Sequence, residues 1–399
     1  MLAMAAGAVV GFSIGESAVP WVGWMGTLFI RLLKMIMVPL IFVSVIGGVA
    51  SVGGGRSLGR LGLKTVTYYV LTSFLAIIVG LAFVNLIAPG IGANIGNAAQ
   101  AKVPEIESPG SLLDIFFRLV PINPIDAMAT GDMLGIIFFA IMLGAALTQI
   151  PEFHRERLTE LINAAFELIM KLTGWIIRLA PLGVFGLMTR AVAVSGFDTF
   201  RALGLYMVTI ASGLTVHLLV TLPLLLWFVG RIKPWVHFRN MTDAMLTAFS
   251  TSSSAATLPV TLSVVEKEIG VSKRVSSFVI PMGATINMDG TALYECVGVI
   301  FISQVLGVPL GFELQVVVVM TALLASIGAA GIPSAGLVMI FIVTDAVNLR
   351  GPEVAVIIGA MLAIDRPLDM YRTMVNVFSD SCGAAIIARS EGETEVDAA

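Results

Sequence analysis

Apolar residues run along this chain in long stretches, and most charges gather in short segments between them. Residues 66–88, 133–150, 203–230, 275–306 and 316–344 each hold about 18 or more residues with almost no charge, enough to cross a hydrocarbon core of roughly 30 Å. Within 203–230, His217 is the one side chain that titrates near neutral pH. The pattern predicts an all-α, multi-pass membrane protein. Residues 1–14 read as the end of a first membrane helix and not as a removable signal, because no charged leader and cleavage site precede a polar domain.

The cations orient these spans. Arg56, Arg60 and Lys64 form one cluster, Arg155 and Arg157 a second, Arg231, Lys233 and Arg239 a third, and Lys267, Lys273 and Arg274 a fourth. The alternate connections carry only Lys102, Arg190, Arg201 and Arg350, so the four clusters are expected on the cytoplasmic side and residues 90–110 outside. Arg239 and Lys267 then face the same side with about 27 residues between them, too few for two spans of about 20. The segment 241–265 carries the serine-rich run 250–257 followed by Pro259, which suits a hairpin that enters the membrane and returns. A second broken stretch, Ser326–Ser334, interrupts 316–344 with Gly328, Gly331 and Pro333. Paired interruptions of this kind point to a transporter's midplane site.

The last apolar segment, 354–388, contains Asp365, Arg366, Asp369, Arg372, Asn376 and Asp380. A charge at the bilayer centre costs roughly 2.5–3.5 kcal/mol even on lenient scales, so these must face a polar interior. Omitting Arg366, the steps of 4, 3, 4 and 4 confine the set to an arc of about 80° at 100° per residue. Arg372 offers a planar fork for a carboxylate, Asp369 an acceptor for an ammonium, Asn376 both donor and acceptor, and Asp380 an anionic oxygen for a hard cation. A structural ion-pair network is the bland alternative. A second cluster, Gly283-Ala284-Thr285-Ile286-Asn287-Met288-Asp289-Gly290-Thr291, cannot act as a regular helix, since Asn287 and Asp289 would point about 200° apart. Unwound at Asn-Met-Asp-Gly, it frees carbonyls that build an oxygen cage beside the carboxylate. Glu295 is a further acid within an apolar span and a candidate proton carrier.

Composition agrees: 57% of the residues are apolar and only 12% charged, with a mean hydropathy of +0.97, against roughly 25% charged in soluble domains. The formal net charge of −3 and the absence of a basic patch leave no case for nucleic acid. Cys296 and Cys382 stand in apolar segments and are expected to pack in the core. An intramembrane hydrolase needs a base beside Ser252–Ser254, and His154, His217 and His237 fall outside the motif segments.

Asn287-Met288-Asp289-Gly290-Thr291, the hairpin ending Thr257-Leu258-Pro259, and Asp369-x-x-Arg372-Thr373-x-x-Asn376-x-x-x-Asp380 together resemble the glutamate/aspartate:sodium symporters. Further matches are Arg31-Leu32-Leu33-Lys34-Met35 with Pro39, Tyr68-Tyr69-Val70-Leu71-Thr72-Ser73, and Ala180-Pro181-Leu182-Gly183-Val184-Phe185. The resemblance implies eight transmembrane helices and two re-entrant hairpins in inverted repeats, assembled as a homotrimer in the plasma or inner membrane. It implies scaffold helices within 1–60 and 111–192, and an elevator-type transport domain from 61–90 and 200–390. A disordered tail, 391–399, would follow. It assigns the substrate's side-chain carboxylate to Arg372 and its amino group to Asp369, with Thr373, Asn376, Thr291, Ser253, Ser254, Ile332 and Gly336 completing the pocket. Sodium is the coupling ion and no cofactor is expected. One sodium would lie among Gly283, Asn287, Asn376 and Asp380; a second among Tyr69, Thr72, Ser73, Asn287 and Asp289; a third on backbone oxygens of Thr285, Ser326, Ile327 and Ala329.

The chain departs from its relatives in places. Archaeal members carry an arginine where Ser252 stands, and animal members carry one where Met370 stands. Arg366, four residues before Met370 and thus on the same helical face, is expected to supply that cation. Glu295 matches the animal branch, where a glutamate is linked to proton cotransport. Ala329 replaces a threonine of archaeal members. A proton-coupled dicarboxylate or glutamate carrier is the nearest alternative, and an anion channel the alternative from another class. The sequence does not choose aspartate over glutamate, since one methylene changes affinity by only about 1–3 kcal/mol.

Overall fold

The computed structural model describes residues 2–50, 56–93, 95, 117, 120–196, 198–328 and 335–397. Its helices are α1 (Leu2–Ile14), α2 (Val19–Ala50), α3 (Arg56–Ile87), α4 (Pro124–Thr130), α5 (Met133–Leu147), α6 (Glu152–Arg178), α7 (Ala180–Ser195), α8 (Asp198–Val216), α9 (Leu222–Phe228), α10 (Pro234–Thr251), α11 (Ser254–Lys267), α12 (Lys273–Ile286), α13 (Asp289–Val305), α14 (Phe312–Gly328), α15 (Ala335–Ala346) and α16 (Pro352–Ser390). No strand occurs among the described residues.

Three continuous helical runs, Ala5–Ala50, Arg60–Ile87 and Thr199–Phe228, are long and apolar enough to cross a bilayer. A fourth is reached if Glu152–Ile176 and Ala180–Val194, bent by 52°, count as one. The other expected spans fall short for physical reasons. The chain unwinds at Asn287 and Met288, so α12 and α13, with 14 and 17 residues, are each too short alone. The 39 residues of α16 are long enough, about 58 Å at 1.5 Å per residue, but hold the stripe of acids and arginines.

The first broken segment is a hairpin. Ser252 ends α10 in the left-handed region at φ 53°, and Ser253 caps α11 by accepting from the Ala256 amide at 3.2 Å. The chain thus reverses with almost no loop, and α10 and α11 pack on each other and on α16. Helices α14 and α15 likewise lie together. The turn between them lies outside the described residues, and Ala329 and Ile332 with it.

Helices α1, α2, α5, α6 and α7 pack mainly against α2 and α7, whereas α3 and α8 to α16 gather around α13 and α16. In α13 every residue except Gln304 is buried, as befits a central helix apolar on all sides.

The segment expected to be disordered is ordered as far as Asp397. Val396 and Asp397 are buried, and Glu391 pairs with Lys64 at 2.6 Å, Arg60 at 2.7 Å and Arg274 at 3.0 Å. Lys64 and Arg60 hold the Glu391 carboxyl down to about 2. The stabilisation is therefore complete above the ordinary carboxylate range and is lost only as pH falls toward 2, so the clamp does not titrate under physiological conditions.

Candidate functional site

Arg372 is fully buried in the middle of α16. Its Nε and Nη2 donate to Asp369 Oδ1 at 3.1 and 2.8 Å, and Nη1 lies 3.4 Å from Asp365 Oδ1. Nη1 makes no hydrogen bond among the described residues. The guanidinium carbon sits 4.1 Å from the centre of the Tyr294 ring. Two glycines let backbone approach Arg372, Gly290 at the root of the side chain and Gly336 at its tip: a Cβ on Gly290 would lie 2.8 Å from Arg372 Cβ, and one on Gly336 2.7 Å from Nη1. The fork thus lies between the Tyr294 ring and the backbone of Gly336.

The stripe expected on one face of α16 is buried as a set, Asp365, Asp369, Arg372, Asn376 and Asp380, and Thr373 beside it is buried too. Its ion pairs form within one helix, as α-helical spacing allows. One expectation is modified: Asp369, read as an acceptor for an amino group, also accepts both hydrogen bonds from Arg372, because a buried guanidinium requires a carboxylate partner. Arg366 lies with Nη1 3.8 Å from Asp369 Oδ2 and its side chain half-exposed, where a cation was expected. Thr373 donates to the Asp369 carbonyl at 2.8 Å. Asn376 accepts from the Gly290 amide at 2.7 Å and reaches Thr291 Oγ1 at 3.4 Å, joining α16 to the start of α13.

Toward the unwound stretch the polar atoms become mostly oxygens. Asn287 Nδ2 donates to Asp380 Oδ1 at 2.9 Å and to Ser379 Oγ at 3.1 Å, and Thr72 reaches Asn287 Oδ1 at 3.3 Å. Asp289 accepts from Ser73 at 2.7 Å and from Ser379 at 2.6 Å. A Cβ on Gly283 would collide with the Asp380 carboxylate and stand 2.7 Å from Tyr69 Oη, so only glycine allows this convergence. Of the residues expected around the first two sodium positions, Tyr69, Thr72, Ser73, Gly283, Asn287, Asp289 and Asp380 are linked here, while Asn376 contacts Gly290 and Thr291. No cluster of three or more His, Cys, Asp or Glu able to hold a metal ion occurs among the described residues. Hydroxyls, amide oxygens and carboxylates are the donors that hard cations take.

The third expected group is more scattered. Ser326 is buried and donates to the Leu323 carbonyl at 2.9 Å, and Ile327 shares a cavity of about 470 Å³ with Tyr69, Ser73 and Ile286. Thr285 is exposed, with its hydroxyl on the Met282 carbonyl at 2.9 Å. Ser253 and Ser254 are buried at the first hairpin's turn, beside Ser252, whose hydroxyl has no partner among the described residues. Glu295 is fully buried, and neither carboxyl oxygen is hydrogen-bonded among the described residues.

Sequence reasoning missed three participants. His217, placed outside the motifs, lies with Nε2 3.1 Å from Asp289 Oδ2, on a widened π-turn, His217–Thr221. Its isolation in a long apolar run was the available signal. Ser379 bridges Asn287 and Asp289, and Tyr294 floors Arg372. Only distance in space reveals those two.

A buried guanidinium stands beside uncoiled backbone, hydroxyls and carboxylates, groups whose chemistry suits an anionic solute and a hard cation. Comparison gives the family: the sequence profile of the Sodium:dicarboxylate symporter family matches residues 1–390, and this chain belongs to that family. It is 36% identical to an excitatory amino acid transporter of Caenorhabditis elegans, over 94% of this chain and 83% of that protein. It is also 36% identical to excitatory amino acid transporter 3 of Homo sapiens, over 91% and 78%. The proton/glutamate-aspartate symporter of Escherichia coli is 32% identical over 92% and 84%. The chain is a membrane transporter and not an enzyme.

Proposed function

We propose that the chain carries L-aspartate or L-glutamate into the cell by sodium symport. The observation that carries this reading is Arg372 Nη1, buried, 3.4 Å from Asp365 Oδ1 but without a hydrogen bond among the described residues, and closely approached by the backbone of Gly336. A carboxylate arriving there completes the fork's hydrogen bonding. Asp369 takes the ammonium group, and Thr373, Asn376, Thr291, Ser253, Ser254 and the Ile332–Gly336 backbone orient the rest. Oxygens of Gly283, Asn287, Asn376 and Asp380 hold one sodium, and those of Tyr69, Thr72, Ser73, Asn287 and Asp289 a second. The backbone at Thr285, Ser326, Ile327 and Ala329 holds a third. Because Asn376 reaches both Gly290 and Thr291, ion binding at the unwound stretch is felt directly at the substrate pocket.

The two groups of packed helices support an elevator in which α3 and α8–α16 move against the rest, within a homotrimer. Uptake of labelled aspartate and glutamate into proteoliposomes, with sodium, proton and potassium gradients imposed one at a time, tests the assignment. Accumulation driven by sodium is expected; uptake that ignores sodium overturns the ion assignment.

A second reading, proton-coupled transport, is favoured by Glu295, buried in α13 one turn beyond Thr291. The two combine if Glu295 carries a proton alongside sodium. Glu295→Gln, of nearly the same shape, is then expected to flatten the pH profile of uptake while sodium dependence persists. A profile unchanged from the parent protein would remove Glu295 from the proton path.

Arg366 gives a smaller effect. At 3.8 Å and half-exposed, its pairing with Asp369 is worth about 0.2–1 kcal/mol, so Arg366→Ala is expected to raise the substrate KM by roughly up to fivefold. Identical kinetics in the variant would show that Arg366 is a bystander.

A further inference from the structure

The segment that follows α16 is bound at nearly every residue. Arg389 donates to the carbonyls of Thr394 at 2.8 Å and Val396 at 2.9 Å, which folds the segment back across the end of its own helix. Glu391 gathers Arg60 and Lys64 from α3 with Arg274 from α12. Glu393 accepts from both the amide and the hydroxyl of Ser272, and the Asp397 amide donates to the Ile269 carbonyl at 2.7 Å.

The last contact reaches inward. His237 Nδ1, near the start of the first hairpin, donates to Asp397 Oδ2 at 2.7 Å, since a carboxylate oxygen accepts. Asn240 donates to Asp397 Oδ1 at 2.9 Å. On its other side His237 Nε2 meets Ser381 Oγ at 2.9 Å, and Ser381 bonds the Phe378 carbonyl at 2.7 Å. Phe378 in turn stacks on Phe238, ring centres 4.2 Å apart. Asp397, His237 and Ser381 are all buried. Ser381 is the residue after Asp380 and two after Ser379, the residues that hold Asn287 and Asp289 in place.

We propose that residues 391–397 are a positioning strap for the cation site. Through Asp397, His237 and Ser381 the strap fixes the turn of α16 that carries Asp380. Through Glu391 it holds the starts of α3 and α12, the helices that deliver Tyr69, Thr72 and Ser73 on one side and Gly283 on the other. A buried polar relay of this kind transmits position because each member has a single satisfied geometry. The strap contributes no ligand. It rests on the reading of the oxygen cluster as a sodium site.

The test is Asp397→Ala in reconstituted protein, read by the sodium dependence of uptake and by amide hydrogen exchange. Losing a buried charge-assisted bond is expected to raise the sodium concentration for half-maximal uptake about fivefold to tenfold, with the maximal rate within about twofold. Asp397→Asn, whose amide oxygen still accepts from His237, is expected to recover most of that shift. Exchange should quicken in residues 376–383 in the alanine variant. If Asp397→Ala does not fold, Asn240→Ala, which removes one of the hydrogen bonds to Asp397, carries the same test on a smaller scale. An unchanged sodium dependence overturns the proposal, and quickened exchange beside it would leave only a structural latch. So does a fall in maximal rate alone. Parent protein whose uptake is indifferent to sodium would instead refute the ion-site reading. The strap, as a device for positioning a cation site, would fall with it.

Discussion

Arg372→Lys is expected to abolish most uptake of acidic amino acids, by roughly a hundredfold or more in kcat/KM, while leaving a folded protein. Lysine keeps the positive charge that Asp365 and Asp369 require, but loses the planar fork. In the parent, Nε and Nη2 are hydrogen-bonded to Asp369, whereas Nη1, 3.4 Å from Asp365, makes no hydrogen bond among the described residues and is the donor proposed to meet a ligand. An ammonium on a flexible stem settles on the two internal carboxylates and presents no fixed second donor outward. One lost charge-assisted hydrogen bond costs about 1.5–3 kcal/mol, and lost orientation adds to it. Arg372→Ala is the poorer experiment, because it leaves Asp365 and Asp369 buried without their cation, a defect worth about 3–5 kcal/mol in stability that would confuse transport with folding. Initial rates of labelled aspartate and glutamate uptake decide the matter. Near-parental kcat/KM in Arg372→Lys would mean that the guanidinium serves only its internal partners.

What could be read from the sequence was whatever one helix determines by itself. The stripe from Asp365 to Asp380 follows from the 3.6-residue period, and all its members are buried together. The break at Asn287 and Met288 was legible for the same local reason: the acid and amide could serve one site only if the helix stopped between them. The turn at Ser252 and Ser253 was visible because two cationic segments lay too close for two spans. What stayed hidden was set by distant pairs. Glu391 meets Arg60 across 331 positions and His237 meets Asp397 across 160, and the acidic, glycine-containing composition of 391–397 gives no hint of those partners. His217 is different. A lone histidine in an apolar span is costly enough to require a partner, and setting it aside for lying outside a motif weighted the motif over the energetics. The intrahelical pairing of Asp369 with Arg372 was also legible at i,i+3, but reading each side chain for a ligand obscured that they first neutralise each other.

That neutralisation shapes the second large effect, which concerns the cation. Asp365 and Asp369 are balanced by Arg372 and Arg366, whereas among the described residues no lysine or arginine pairs with Asp380 or Asp289. Asp380 is met by the Asn287 amide, and Asp289 by Ser73, Ser379 and His217. Amide and hydroxyl donors steady a buried carboxylate but do not cancel its charge, and a small hard cation does. Asp380→Asn removes one unit of that charge with little change of shape. At an effective dielectric of about 20, a carboxylate and a monovalent cation about 3 Å apart attract by about 5 kcal/mol, of which the remaining amide oxygen recovers part. The sodium concentration for half-maximal uptake is therefore expected to rise at least tenfold, with substrate KM at saturating sodium changed far less. Since Asn376 ties the same region to Gly290 and Thr291, substrate affinity at low sodium should weaken in parallel. Sodium titrations of uptake at fixed substrate, repeated at several substrate concentrations, separate the two. A variant that keeps the parent's sodium curve would place the coupling cation away from Asp380, and with it the reason for the helix to unwind at Asn287.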